Sequence, residues 1–227
     1  MSYKRLTPCI FIAGGKAVRW FDDRTVLTED VIALAKQYNA NGADELLVFD
    51  LSDSDEDHEE SIDLIKKINR IISIPMVAGG NIRRAEDVKK LLYAGVKRAM
   101  LNFSKKVSID LIKEVSLRFG KEKIAICTDS FAQLQANKAR VNEYTSRVIL
   151  LCDEVDVRTT ARLVEVPVLP VSTRADRHGL LKLLMLDNIC GVCGDTFSDL
   201  NEDLMAAKLE AKKHGVEINT FESKMSW

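Results

Sequence analysis

The stretch IPMVAGGNIRRAEDVKKLLYAGVKRAMLN, Ile74 to Asn102, contains a complete strand–helix–strand unit and decides the fold. Pro75 to Gly79 and Arg98 to Asn102 are apolar runs of strand length, and between them Ala85 to Ala94 repeats its apolar residues at helical spacing. Gly95 follows the helical stretch as a stop. Strands that are apolar on both faces and are separated by helices imply a parallel sheet covered by helices.

Outward from this unit the rhythm repeats. Further strand candidates are Cys9 to Ala13, Leu46 to Asp50, Ile124 to Asp129, Val148 to Cys152, Val166 to Val171 and Ile189 to Cys193, which brings the total to eight. Helical patterns occupy Glu29 to Asn41, Glu60 to Ile71, Ser108 to Phe119, Ala132 to Tyr144, Val157 to Leu163, Leu180 to Leu186 and Leu200 to His214. Eight β/α units close into a single (β/α)8 TIM barrel, whose second half is shortened because its strands recur every ~20 residues. An open doubly wound sheet is the alternative. No linker, low-complexity tract or composition break divides residues 1–227, so one domain is expected.

Lys and Arg (33) nearly balance Asp and Glu (34), giving a formal charge of -1, which argues against a general grip on nucleic acid while leaving small anions as ligands. No apolar run approaches the length of a membrane span and MSYKRLTPC has no signal-peptide core, so a cytoplasmic protein without a membrane partner is expected. The five cysteines fall mostly in apolar runs and are read as free thiols. Cys190 and Cys193 form a single pair without the second pair that zinc spacing requires. No metal or other cofactor is called for.

In a barrel the chemistry collects where strands end and helices begin. Those positions hold Gly14, Gly15, Lys16 and Arg19 after the first strand, and Asp50 after the second. Gly79, Gly80 and Asn81 follow the third, Asn102, Ser104 and Lys105 the fourth, and Asp129 the fifth. Gly79-Gly80-Asn81 before a helix suits phosphate, because residues without Cβ let backbone N–H groups approach an anion; a tight turn is the alternative. Asn102 and Ser104 add donors, and Arg83 or Lys105 adds charge. Asp129 is the best acid–base candidate, since partial burial at a strand end raises a carboxyl pKa; the alternative is a cap for the helix near Phe131. The acidic run Asp53 to Glu60, with His58, is read as a solvated loop capping the next helix. His58, His178 and His214 are scattered, with no nucleophile beside them.

The segments KRLTPCI, GADELLVFDLS, IPMVAGGNI, AGVKRAMLN and RFGKEKIAI resemble the cyclase subunit of imidazole glycerol phosphate synthase and its relative, the ribotide isomerase of histidine biosynthesis. PCIFIAGGKAVRWFDD and TFESKMSW are similar to the barrel that, in some anaerobic bacteria, precedes phosphoribosyl-AMP cyclohydrolase and phosphoribosyl-ATP pyrophosphatase modules. The resemblance implies a TIM barrel acting on a ribotide with a phosphate at each end, through one aspartate ending the first strand and another ending the fifth. Asp129 matches the fifth-strand aspartate, Asp50 and Asn102 fall on family positions, and Phe11 stands where the first-strand aspartate belongs.

The family's second phosphate site uses turns that here read Ser172-Thr-Arg-Ala and Gly194-Asp-Thr-Phe, with Arg174 a compensating cation. A charged ring at the opposite barrel end, where the family admits ammonia from a glutaminase, is matched by Arg5, Glu45 and Arg98, with Val148 at its fourth position. Two readings follow. One is a degenerate barrel that binds a phosphorylated ribotide or serves assembly with fused or associated cyclohydrolase and pyrophosphatase modules or a glutaminase. The other is an enzyme using Asp129 as acid–base, with Asp50, Lys16 or Arg19 assisting.

Overall fold

The computed structural model describes residues 3–151, 154–172, 176–194 and 203–220. The first barrel strand comes in two halves, β1 (Arg5–Leu6) and β2 (Cys9–Ala13), and is followed by an antiparallel excursion, β3 (Lys16–Val18) and β4 (Val26–Thr28). The remaining barrel strands are β5 (Leu46–Asp50), β6 (Met76–Gly79), β7 (Arg98–Asn102), β8 (Ile124–Thr128), β9 (Arg147–Leu151), β10 (Val168–Ser172) and β11 (Gly191–Gly194).

Each of these pairs in parallel with the next. The sheet closes through the first strand, because its two halves bond to opposite neighbours: Leu6 pairs with Val192, while Cys9 pairs with Leu47. Pro8 has no N–H to give, yet its carbonyl accepts from Leu47 N at 3.1 Å and Thr7 N donates to Val192 O at 3.0 Å, so the ladder crosses the seam. The alternating strands and helices of a TIM-type barrel are therefore the observed architecture.

Two apolar layers follow from strand alternation. Ile10, Ile12, Leu46 and Val48 face outward and pack with helix residues such as Val31, Leu34 and Ile65. Phe11, Leu47, Phe49, Met100, Ile149 and Leu169 belong to a separate buried cluster that holds no helix residue, which is the barrel interior.

The helices are α1 (Val31–Ala40), α2 (Asp55–Asn69), α3 (Ala85–Tyr93), α4 (Lys106–Phe119), α5 (Phe131–Ala136), α6 (Lys138–Tyr144), α7 (Glu154–Leu163), α8 (Arg177–Leu183) and α9 (Leu204–Lys213). Two departures from the sequence reading have local causes. The acidic run is not a loop: Ser54 Oγ accepts from Asp57 N, and Asp55, Glu56 and Asp57 fill the first turn of α2, where carboxylates suit the helix dipole. The single helix expected over Ala132 to Tyr144 breaks at Asn137, whose Nδ2 donates back to Gln133 O at 2.9 Å. The β3–β4 excursion went unread because strands of three residues carry too few alternations to register.

Candidate functional site

A cavity of about 500 Å³ opens at the end of the barrel where the strands finish. Gly80, Asn102, Thr128, Asp129, Leu151 and Val171 line it from the strand ends, and Trp20, Phe21 and Asp22 line it from the tip between β3 and β4. The tip is held by Trp20 N donating to Asp23 O and Arg19 N to Thr25 O, both at 3.0 Å. It brings aromatic rings down onto the barrel interior. Phe11 stacks on Phe49 (4.8 Å between centroids, 11° between planes) and meets Trp20 and Phe21 edge-on at 4.7 and 4.9 Å. Phe11 is thus sealed at 2% exposure beneath the tip, and its place at the first strand is filled by packing.

Asp129 stands on the cavity wall and is exposed rather than partly buried. It is not the cap of α5, because Ser130 Oγ takes that role by accepting from Gln133 N at 3.3 Å. Asp129 Oδ1 instead accepts from Ser104 Oγ at 2.6 Å, and Asn102 Oδ1 holds the Ser104 backbone N–H at 3.0 Å. Asn102, Ser104 and Asp129 thereby form one bonded group on adjoining strand ends. Ser104 leads into α4, whose N-terminus no side chain caps and where Lys105 and Lys106 are exposed. A helix start with unpaired N–H groups beside lysines favours an anion.

The third-strand glycines have a different reason for being there. A Cβ on Gly79 would lie 1.9 Å from Met100 O, and one on Gly80, at φ +143°, would lie 2.0 Å from Asp50 O. Close approach between neighbouring strands requires both. The helix that follows offers few donors, because Asp87 Oδ2 accepts from Arg83 N (2.9 Å) and Arg84 N (3.1 Å). Asn81 is bonded to Ser52 Oγ at 3.3 Å and to Arg83 Nε at 3.2 Å, with Arg83 also 3.1 Å from Asp55.

Asp50 and the hairpin cations lie outside the cavity wall. Asp50 is an outward position of β5, 3% exposed, and its Oδ2 is 2.5 Å from His58 Nδ1 on α2. That hydrogen bond raises the His58 pKa above the ordinary imidazole value, with burial opposing it. His58 Nε2 is buried without a hydrogen-bond partner among the described residues. Lys16 pairs with Glu29, and Arg19 is 3.4 Å from Asp23, both on the exposed hairpin. Arg174 and Asp195 lie outside the described residues. Cys9, Cys127, Cys190 and Cys193 are in no disulfide, and burial pushes the Cys127 thiol up, which suits packing rather than reactivity.

The other end of the barrel carries a charged floor whose membership differs from the sequence reading. Val148 faces outward into the helix layer, and the inward position belongs to Arg147, which bonds Glu45 Oε2. Arg5 and Arg98 approach Glu45 Oε1 at 3.9 and 3.7 Å. One buried glutamate therefore faces three guanidinium groups.

A family model described as histidine biosynthesis protein matches residues 5–187, from the first half-strand through the loop after α8. The chain belongs to the histidine biosynthesis protein family. It is 33% identical over 127 residues to the imidazole glycerol phosphate synthase subunit HisF of Streptomyces coelicolor, covering 56% of this chain and 51% of that protein. Against the HisF of Flavobacterium psychrophilum it is 34% identical over 131 residues, 57% and 52% of the two chains. With that of Pasteurella multocida it shares 30% over 146 residues, 64% and 57%. The chain spans about half the length of the curated relatives it matches. Among the described residues no helix is long and apolar enough to cross a membrane.

Sequence reasoning about this family member missed four positions. Trp20, Phe21 and Asp22 had a signal in two adjacent aromatics within a polar stretch between short apolar runs. Arg147 had one in a lone charge heading an apolar strand.

Proposed function

We propose that the chain is a histidine-biosynthesis barrel that holds a phosphorylated ribotide in its mouth without closing a ring on it, and so serves as a ligand-binding or assembly domain beside other modules of that pathway. Phe11 carries the reading. A phenyl ring buried against Phe49, Trp20 and Phe21 takes up and releases no proton, so acid–base work shared between the first and fifth strands has lost one partner. The phosphate end of the ligand suits the Asn102–Ser104 turn and the start of α4, with Gly80 beside it on the cavity wall.

Two measurements test this. Turnover of the family's ribonucleotide with ammonia should be negligible, and a rate on the order of 1 per second or more would reject the reading. Calorimetric titration with a ribose 5-phosphate compound should show binding that Ser104→Asp abolishes. Binding that ignores Ser104→Asp would move the phosphate elsewhere.

A second reading, an enzyme with Asp129 as its one acid–base group, draws support from the 2.6 Å bond from Ser104, which orients the carboxyl on the cavity wall. Under it Asp129→Asn abolishes turnover at nearly unchanged melting temperature. Under the first reading there is no turnover to abolish.

A further inference from the structure

The sheet order ends at β4: one edge of this strand pairs antiparallel with β3, and no described strand pairs with the other. Arg24 to Leu27 are exposed throughout, with Val26 at 47% and Leu27 at 54%. Natural sheet edges are guarded by charge, proline or cover, because their open N–H and C=O groups template further pairing. Thr25-Val26-Leu27-Thr28 carries neither charge nor proline, and its β-branched residues suit extended pairing. The charges sit at its two ends. Arg24 precedes the stretch, donates from Nη1 to Leu51 O at 3.3 Å and makes no ion pair among the described residues. Glu29 follows it and meets Lys16 from β3.

We infer that β4 is an interface for a second copy of this chain, which adds its own β4 antiparallel to the open edge about a two-fold axis. Such pairing needs an edge that is complementary to itself, and this one is. With Val26 or Leu27 at the axis, the apolar pair of one strand lies against that of the other, and Arg24 of each copy comes within one residue of Glu29 of the other. A parallel copy would instead set Arg24 beside Arg24 and Glu29 beside Glu29, and like charges across strands destabilise. The strand is three residues long, so the contact falls below the area of stable complexes and the dimer is a weak one. β4 is the outer arm of the excursion whose tip carries Trp20, Phe21 and Asp22, so pairing braces that tip over the mouth of each copy, whatever the mouth holds.

The test is sedimentation equilibrium of the full chain. Between about 10 μM and 1 mM the weight-average mass should climb from 25.4 kDa towards twice that value. Leu27→Lys, which brings two lysines together near the axis, should weaken association at least about tenfold at unchanged melting temperature. Arg24→Glu should weaken it severalfold, and adding Glu29→Lys to Arg24→Glu should restore it, because the charges then pair again with their signs exchanged. Amide exchange gives an independent readout: protection over Thr25 to Thr28 and over the tip should rise with concentration in the parent and not in Leu27→Lys. A chain that stays at 25.4 kDa throughout that range, a dimer indifferent to Leu27→Lys, or protection that does not follow concentration overturns the inference. Failure of Glu29→Lys to rescue Arg24→Glu overturns the antiparallel arrangement.

Discussion

Replacing Glu45 by glutamine at the barrel floor should cost far more than removing any one of the arginines around it. Glu45 is wholly buried, its Oε2 is bonded by Arg147, and Arg5 and Arg98 lie 3.9 and 3.7 Å from Oε1. A unit-charge pair about 4 Å apart is worth roughly 4 kcal/mol at an effective dielectric of about 20, before desolvation is charged against it. Glu45→Gln deletes all three attractions and leaves three guanidinium groups facing one another. Loss of one partner from a buried ion pair costs about 3–5 kcal/mol, and that is the expected loss here. Arg147→Met is milder, because Glu45 keeps two counter-charges and the thioether refills the volume, so less than half that loss is expected. Urea denaturation with linear extrapolation measures both without the screening that a guanidinium salt introduces. In heat the Glu45→Gln loss corresponds to a fall of roughly 6–20 °C for a chain of this size. A Glu45→Gln protein within about 1 kcal/mol of the parent, or an Arg147→Met protein that is the less stable of the two, would refute the claim that one carboxylate holds the floor together.

Three further outcomes are expected. Phe11→Ala should destabilise the chain by about 3–5 kcal/mol, since it empties the centre of a buried aromatic cluster; a loss within surface-substitution range would show the stack is not packing the mouth. The Asp50–His58 pair should stabilise most at acid pH. The folded His58 pKa lies above its ordinary value of 6.5, so its contribution is complete below that value and disappears as pH rises through the folded pKa. A urea series from about pH 6 to 9 should show that decline in the parent and not in His58→Asn, and parallel profiles would sink it. Gly80→Ala should abolish a cooperative unfolding transition, because its methyl would sit 2.0 Å from Asp50 O at a φ of +143°; a normal melt would mean the third strand can back away.

The order of strands and helices was legible because each element has its own period, and so were the strand ends where function gathers. Asn102, Ser104 and Asp129 could be placed near one another from their positions alone, and the structure joins them through two hydrogen bonds. Helix starts were less legible. The beginning of α2 was hidden in a run of carboxylates that reads as solvated loop until Ser54 is recognised as its cap.

What the sequence by itself determined is the succession of β/α units and the apolar character of the first strand around Phe11, because composition and period are local properties of the chain. What only the tertiary structure decided is which way each strand residue points. In a closed barrel both faces of every strand are buried, one against the interior and one against the helices, so Phe49 and Asp50, or Arg147 and Val148, carry no alternation of polarity from which to assign sides. A shift of one residue moves Asp50 from the mouth to a bond with His58, and makes Arg147 rather than Val148 the fourth member of the floor. The descent of Trp20, Phe21 and Asp22 onto that mouth is likewise decided by packing, since nothing within a seven-residue connection between two short strands says what its tip will cover.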